Sequence, residues 1–404
     1  MDAKYDLGSA SYNDDPHGTY ARMRSDDPVY LDPVTGQWYV TRYDDVLSIL
    51  RDKRWSPRLI DRFFTGLSPE GIEQAKVVAR LFNDWLVFSD PPHHTRLRKL
   101  VTRAFSARGV AALEAYTRQV VDAALDRMPD AGEVDLIADF AALVPAQVIS
   151  HMLGVAPDHV KQFRAWVTDL FRLMGRVGAP DENVAAAYHS VRNLEDYFHV
   201  LIAERRKVRV DDLLGALIDA DEDGRLLSGN ELVATCALML AGGHETTTNL
   251  IGNAVLALLR HPAQLPRLRD DPGLITSAVD EFLRYDSPAM GVVRVALEDV
   301  EVNGRVLSAG QSAFVALTSA NRDPAVFDDP DRFDIGRGDS RHVSFGQGIH
   351  LCVGAALARM ETKIAVGSLL ARFSRLQLAT DKLDWIRSRS MRGLTSLPIA
   401  VNRG

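Results

Sequence analysis

Phe345-Gly346-Gln347-Gly348-Ile349-His350-Leu351-Cys352-Val353-Gly354 encloses one cysteine among three glycines and runs on into the helix-like Ala355-Ala356-Leu357-Ala358-Arg359-Met360-Glu361. Glycines lack a Cβ and let backbone approach a flat ligand closely. A cysteine just ahead of a helix N-terminus has its thiolate favoured by the dipole and by free backbone N–H groups. The same residues also fit a small apolar cysteine in a Gly-rich turn, the common state of a free thiol. Cys236 is the only other cysteine, so neither a disulfide framework nor a four-cysteine metal site is available.

Upstream, Ser228-Gly229-Asn230-Glu231 fits a capping box, and no proline intervenes until Pro262. That spacing predicts a helix of roughly 30 residues and about 45 Å. In its middle, Ala237-Leu238-Met239-Leu240-Ala241 gives way to Gly242-Gly243-His244-Glu245-Thr246-Thr247-Thr248. Two interior glycines cost about 2 kcal/mol relative to alanine. A carboxylate amid apolar turns is seldom buried without a partner. Such local violations occur at functional sites, although a polar face with a packing notch explains the glycines equally well.

Two further strings carry charge at helical spacing. Glu281 and Arg284 lie three apart in Asp280-Glu281-Phe282-Leu283-Arg284-Tyr285 and can pair on one face. Asp90-Pro91-Pro92-His93-His94-Thr95-Arg96-Leu97-Arg98 starts a helix, with Asp90 as cap and prolines in the first turn. His94 and Arg98 then share a face and could hold a carboxylate, or belong to a solvated basic helix. Arg96, Lys99 and Arg103 add a basic stripe, either a docking face for an acidic partner or a solvated surface.

The whole chain bounds these motifs. Its 404 residues carry a net charge of -7, which argues against a nucleic-acid binder. No run approaches the roughly 18 apolar residues of a membrane span. The start Met1-Asp2-Ala3-Lys4-Tyr5-Asp6 lacks the features of a secretory signal. A cytoplasmic protein without membrane attachment is expected. Pro28-Val29-Tyr30-Leu31 and Gln37-Trp38-Tyr39-Val40-Thr41 predict a hairpin. Helical spacing dominates from Pro91 to Arg260, with breaks near Pro129 to Gly132, Gly175 to Pro180 and Asp221 to Gly224. Short strands are expected at Val292 to Ala296, Val300 to Val302 and Ser312 to Leu317. No repeat or linker separates domains.

Taken together, the segment from Phe345 to Gly354, the string from Gly242 to Thr248, the Glu-x-x-Arg element and the segment from Asp90 to Arg98 resemble the cytochrome P450 family, in the family's order. The resemblance implies a mainly α fold with a small β region, a single haem-thiolate domain over 1–404 of the soluble bacterial type, and no fused reductase. It implies haem b, iron protoporphyrin IX, with Cys352 as axial ligand and metal-binding residue. Phe345, Gly348 and His350 would belong to the cofactor loop, and His94, Arg98 and Arg294 would meet the propionates. Thr246 would hydrogen-bond the oxygen being activated, beside a Gly-rich kink, and Glu245 would relay protons. Gly242 departs from the alanine of many relatives, and His244 is a variable position. Glu281, Arg284 and Arg332 would be structural.

Substrate contacts are expected at Leu238, Ala241, Gly242, Ala289, Met290, Val292, Val293 and Met391, and within Leu59 to Phe88 and Arg172 to Asp181. These side chains are mostly apolar, so a hydrophobic small molecule, hydroxylated or epoxidised with O2 in natural-product metabolism, is the expected substrate. Electrons would come from NAD(P)H through an external ferredoxin or flavodoxin-type donor to a monomer. A P450-type peroxygenase, a C–C/C–O coupling enzyme or a non-enzymatic haem sensor are the alternatives.

Overall fold

Ser228 opens the long helix as the capping box requires. Its Oγ accepts the Glu231 N–H at 3.2 Å, and the Glu231 carboxylate accepts the Ser228 N–H at 2.8 Å. In this computed structural model, which describes residues 3–105, 107–173, 178–210, 212–222 and 225–403, the helix runs Gly229–Arg260 without interruption. The expected kink at Gly242-Gly243 is therefore absent as a break: more than three full turns on each side hold the glycines helical against their poor propensity. Pro262 stops the helix, since it lacks the N–H needed to continue it.

The hairpin forms as Val29–Leu31 against Trp38–Val40, with Tyr30 opposite Tyr39. Gly36 takes the left-handed conformation in its turn, and Asp32 accepts the Val34 N–H and the Thr35 hydroxyl. Trp38–Val40 pairs in parallel with Ser312–Val315, which pairs antiparallel with Val292–Ala296. The expected run from Ser312 to Leu317 ends as strand at Val315, because Leu317–Ala320 turns helical. Val300–Val302 pairs with Arg305–Leu307 around the Asn303-Gly304 turn.

A three-stranded sheet escaped the sequence pattern. Arg375–Leu378, Pro398–Asn402 and Ala131–Asp135 pair antiparallel, with Pro398–Asn402 in the centre. The residues around Gly132 that read as a helix break are thus an edge strand, whose partner lies some 270 residues away in sequence. Of the other expected breaks, residues 175–177 and 223–224 lie outside the described residues, as do 174–177 of the substrate stretch from Arg172 to Asp181.

The backbone divides into two units. One comprises 1–55, 117–144 and 246–404, the other 56–116 and 145–245. Neither is a continuous stretch of sequence. The first holds the three-stranded sheet, the Val300–Val302 hairpin and a tyrosine core in which Tyr12 and Tyr20 share a hydrogen bond of 2.7 Å. In the second, Phe63, Phe82, Trp85 and Phe88 form a buried aromatic cluster.

The helix after Asp90 begins at His93, and no side chain caps it. Asp90 anchors the segment instead: its carboxylate accepts the Ser56 hydroxyl at 2.5 Å, and its carbonyl accepts the His94 N–H at 2.9 Å. The stripe on this helix is also thinner than expected, because Arg96 pairs with Glu231 and is half-buried.

Glu281 and Arg284, on the helix Ile275–Tyr285, are fully buried and joined by two hydrogen bonds of 2.7 and 2.9 Å. Arg284 also donates to the carbonyls of Asn321, Pro330 and Arg332, and Glu281 accepts the Asp334 N–H. The third member is not Arg332. That side chain is exposed and turns to Asp334, contributing only its carbonyl, while Arg337 reaches Glu281 at 3.3 Å. Five residues beyond Arg332 the chain has turned back, so the guanidinium that arrives is Arg337. Arg284→Ala should therefore cost about 3–5 kcal/mol by stranding a buried carboxylate. In denaturant unfolding, Arg337→Ala should lower the midpoint clearly and Arg332→Ala hardly at all; equal effects of the two would contradict this assignment.

Candidate functional site

The cysteine loop is shaped by two left-handed glycines. Gly346 and Gly348 have φ of 71° and 70°, and the Gly346 N–H donates to the Val343 carbonyl at 2.8 Å. A Cβ on Gly348 would lie 2.5 Å from the Leu50 carbonyl oxygen, so this position admits no side chain. The loop then closes on itself: the Cys352 N–H donates to the Phe345 carbonyl at 2.9 Å, across the single turn Gly348–His350. Phe345 is held by the Arg359 guanidinium, 4.5 Å over its ring.

Behind the loop, the Asn321 side chain accepts the Val343 N–H at 2.7 Å and donates to Ser344, whose hydroxyl donates to the Leu283 carbonyl. The buried Glu281–Arg284 helix is thereby tied to the start of the loop. Cys352 is exposed, and the helix Ala355–Arg372 starts three residues later. A Cβ on Gly354 would stand 3.9 Å from Sγ, which places the sulfur beside the helix start, where the dipole favours a thiolate. Cys236 is its opposite: fully buried, with its thiol pushed far up by desolvation. An exposed soft thiolate in a glycine-formed cradle, flanked by the exposed apolar Ile349 and Leu351, fits a haem iron with its apolar macrocycle.

Arg294, buried on Val292–Ala296, donates to the Val293 carbonyl at 2.9 Å. His94 is 2% exposed, and Arg98 follows it by one turn of the same helix. Burial, and then the charge of Arg98, lower the His94 pKa. His350 is half-buried within the loop.

On the long helix, two faces separate. Leu240, Gly243 and His244 point one way: Leu240 and His244 line a small apolar cleft with Ile149, Phe163 and Val167, and a Cβ on Gly243 would press within 3.1 Å of Ile149. At 100° per residue, Leu238, Ala241, Gly242, Glu245 and Thr246 fall on the opposite side. There a Cβ on Gly242 would meet no atom of the described residues within 4 Å. Glu245 and Thr246 are half-buried, and burial raises the Glu245 pKa. The expected groove thus coincides with a missing side chain on one face of an uninterrupted helix.

Among the expected substrate contacts, Ala289 and Met391 meet directly as an antiparallel bridge. Val292 and Val293 are half-buried on the strand that follows. Met290 is 3% exposed and packs into the tyrosine core. Asn249, Asn253 and Arg392, which also shape this region, gave no sequence signal beyond helical spacing.

The cytochrome P450 family model matches residues 73–272 and 273–401. Cytochrome P450 107B1 of Saccharopolyspora erythraea is 45% identical over 96% of both chains. Vitamin D(3) 25-hydroxylase of Pseudonocardia autotrophica is 40% identical over 98% of this chain and 96% of its own. The crystal structure of CalO2 superposes with a TM-score of 0.91 at 34% identity, over 100% of both chains.

The two glycines should respond differently to a methyl group. Gly242→Ala gains helix propensity without a clash and should stabilise the protein by up to about 1 kcal/mol. In Gly243→Ala the displacement of Ile149 should offset that gain. Thermal unfolding of both variants checks the assignment, and equal stabilisation would mean that the two glycines do not face apart.

Proposed function

The chain belongs to the cytochrome P450 family, and from that premise we propose that Cys352 would hold its haem through the thiolate, with Thr246 and Glu245 holding and moving protons at the site. The protein is a haem-thiolate monooxygenase that hydroxylates a hydrophobic small molecule with electrons from an external redox partner. When bound, the haem would supply the oxygen chemistry that side chains cannot, and Cys352 would hold it through its sulfur.

The chain's own residues hold, orient and move protons. The loop of Phe345, Gly348 and His350 fixes the Cys352 backbone by its closing hydrogen bond, which leaves only the χ1 rotation to set the sulfur's direction. His94, whose pKa burial lowers, would serve a propionate as a hydrogen-bond donor, while Arg98 and Arg294 would supply the positive charge. Glu245 retains its proton to higher pH than an exposed carboxyl and can pass it to the Thr246 hydroxyl and recover it from solvent. Gly242 leaves room beside that hydroxyl.

Leu238, Ala241, Ala289, Val292, Val293 and Met391 present apolar surface to the substrate, which supports a hydrophobic natural product as the compound oxidised. We place electron supply with a ferredoxin or flavodoxin-type protein drawing on NAD(P)H, and the cofactor as haem b. The enzyme acts as a cytoplasmic monomer; no helix among the described residues is long and apolar enough to cross a membrane. Its two units work as one catalytic domain, since neither is a continuous stretch that could fold from a separate segment.

The cysteine geometry carries this proposal, and the absorption spectrum of the reduced protein under carbon monoxide tests it. A strongly red-shifted Soret band is expected, and it should vanish in Cys352→Ala. A band at the ordinary position would mean a ligand other than thiolate. Thr246→Ala should keep the band while hydroxylation of a hydrophobic probe such as vitamin D3 falls by about 10²-fold, the scale of a lost proton-transfer group.

A further inference from the structure

Arg392 is a guanidinium with only 5% of its surface exposed, held in all its directions. Its Nε donates to the Asp286 carboxylate at 2.8 Å, and its Nη atoms donate to the carbonyls of Asn13 and Asp14 at 2.7 and 3.0 Å. Its plane lies 3.6 Å over the Trp385 ring. The backbone of Arg392 is fixed as well: its N–H donates to the Pro288 carbonyl at 2.8 Å, and its own carbonyl accepts the Asn253 amide at 3.2 Å. That same amide nitrogen donates to the Asp286 carbonyl at 3.1 Å. One buried side chain of the long helix thus binds two chain segments together.

Those segments carry the expected substrate contacts. Met391, beside Arg392, bridges to Ala289, and the Met290 N–H donates to the Ser390 carbonyl at 2.8 Å. On the other side of Arg392, a Cβ on Gly393 would overlap the Asn249 amide, so only glycine lets this turn lie against the helix. Asn249 and Asn253 follow Thr246 by three and seven residues, which puts all three on one helical stripe.

We propose that Arg392, Asp286 and Asn253 are positioning residues for substrate specificity: they hold the Met391–Gly393 turn and Ala289 as one rigid lip at a set distance along the helix from Thr246. The residues that fix which part of a substrate reaches the reacting centre then include three that never touch it. The inference rests on the assignment of Ala289 and Met391 as substrate contacts. Lysine cannot replace Arg392, since an ammonium lacks the planar fork that serves Asp286 and two carbonyls at once and stacks on Trp385.

The test uses haem-loaded full-length protein and two iron-ligating probes, imidazole and 4-phenylimidazole, titrated by absorption spectroscopy. Arg392→Lys and Asn253→Ser should weaken 4-phenylimidazole relative to imidazole by about tenfold, the scale of a methylene-sized change in an apolar pocket. Imidazole alone should bind as before, and the reduced carbon monoxide band should persist, which separates misplacement of the lip from general loss of structure. Met391→Ala, acting on the contact itself, should shift the ratio in the same direction. If Met391→Ala shifts the ratio and neither positioning variant does, the lip is not set by these residues and the inference is overturned. An unshifted ratio in Met391→Ala removes the substrate-contact assignment, and the inference with it. Should Arg392→Lys fail to fold, Asn253→Ser decides alone, because it removes only the bridging amide.

Discussion

The buried pair of Glu281 and Arg284 is the constraint on which the presentation of Cys352 depends. Desolvating two charges costs several kcal/mol each, and a pair alone seldom repays it. Here the remaining donors and acceptors are all directed: Arg284 serves three carbonyls, and Glu281 takes the Asp334 N–H and the Arg337 guanidinium. The gain is order more than stability. The meander from Pro330 to Arg337 is nailed to the helix, and the same helix holds Ser344 at the mouth of the cysteine loop.

From that support the loop needs little else to aim its sulfur. Two left-handed glycines set the bends, one backbone hydrogen bond closes the ring of residues from Phe345 to Cys352, and the following helix supplies the field. The chemistry of the two cysteines diverges accordingly. Cys236 is surrounded by apolar helix and stays a thiol, while Cys352 is exposed beside a helix start, where the charged form is favoured. Position in the fold, with the same side chain, buries one sulfur and exposes the other.

The long helix applies the same economy. Its two glycines do different work because they face apart: Gly243 lets the backbone approach Ile149, and Gly242 leaves space on the stripe shared with Glu245 and Thr246. Further along that stripe, Asn249 and Asn253 receive the turn of Met391 to Gly393. The long helix thus carries Gly242, Glu245 and Thr246 in one turn and Asn249 and Asn253 in the next two, all on one face.

The sequence by itself determined the capping box at Ser228, the length of the helix that follows, the hairpin at Val29 and the cysteine loop with its glycines, because each depends on residues close together in the chain. It also carried the motifs on which the family resemblance rests, since glycine, cysteine and charged side chains at fixed spacing are legible locally. It misjudged Arg332 for Arg337, took Asp90 for a cap and passed over the sheet formed by Ala131–Asp135 and Pro398–Asn402. In each of these the outcome rests on partners distant in sequence. A guanidinium finds its carboxylate only after the chain has folded back, and an edge strand is defined by its neighbour. The burial of Met290 and the grip of Arg392 belong to that second class, because a side chain's surroundings follow from packing that no local pattern encodes.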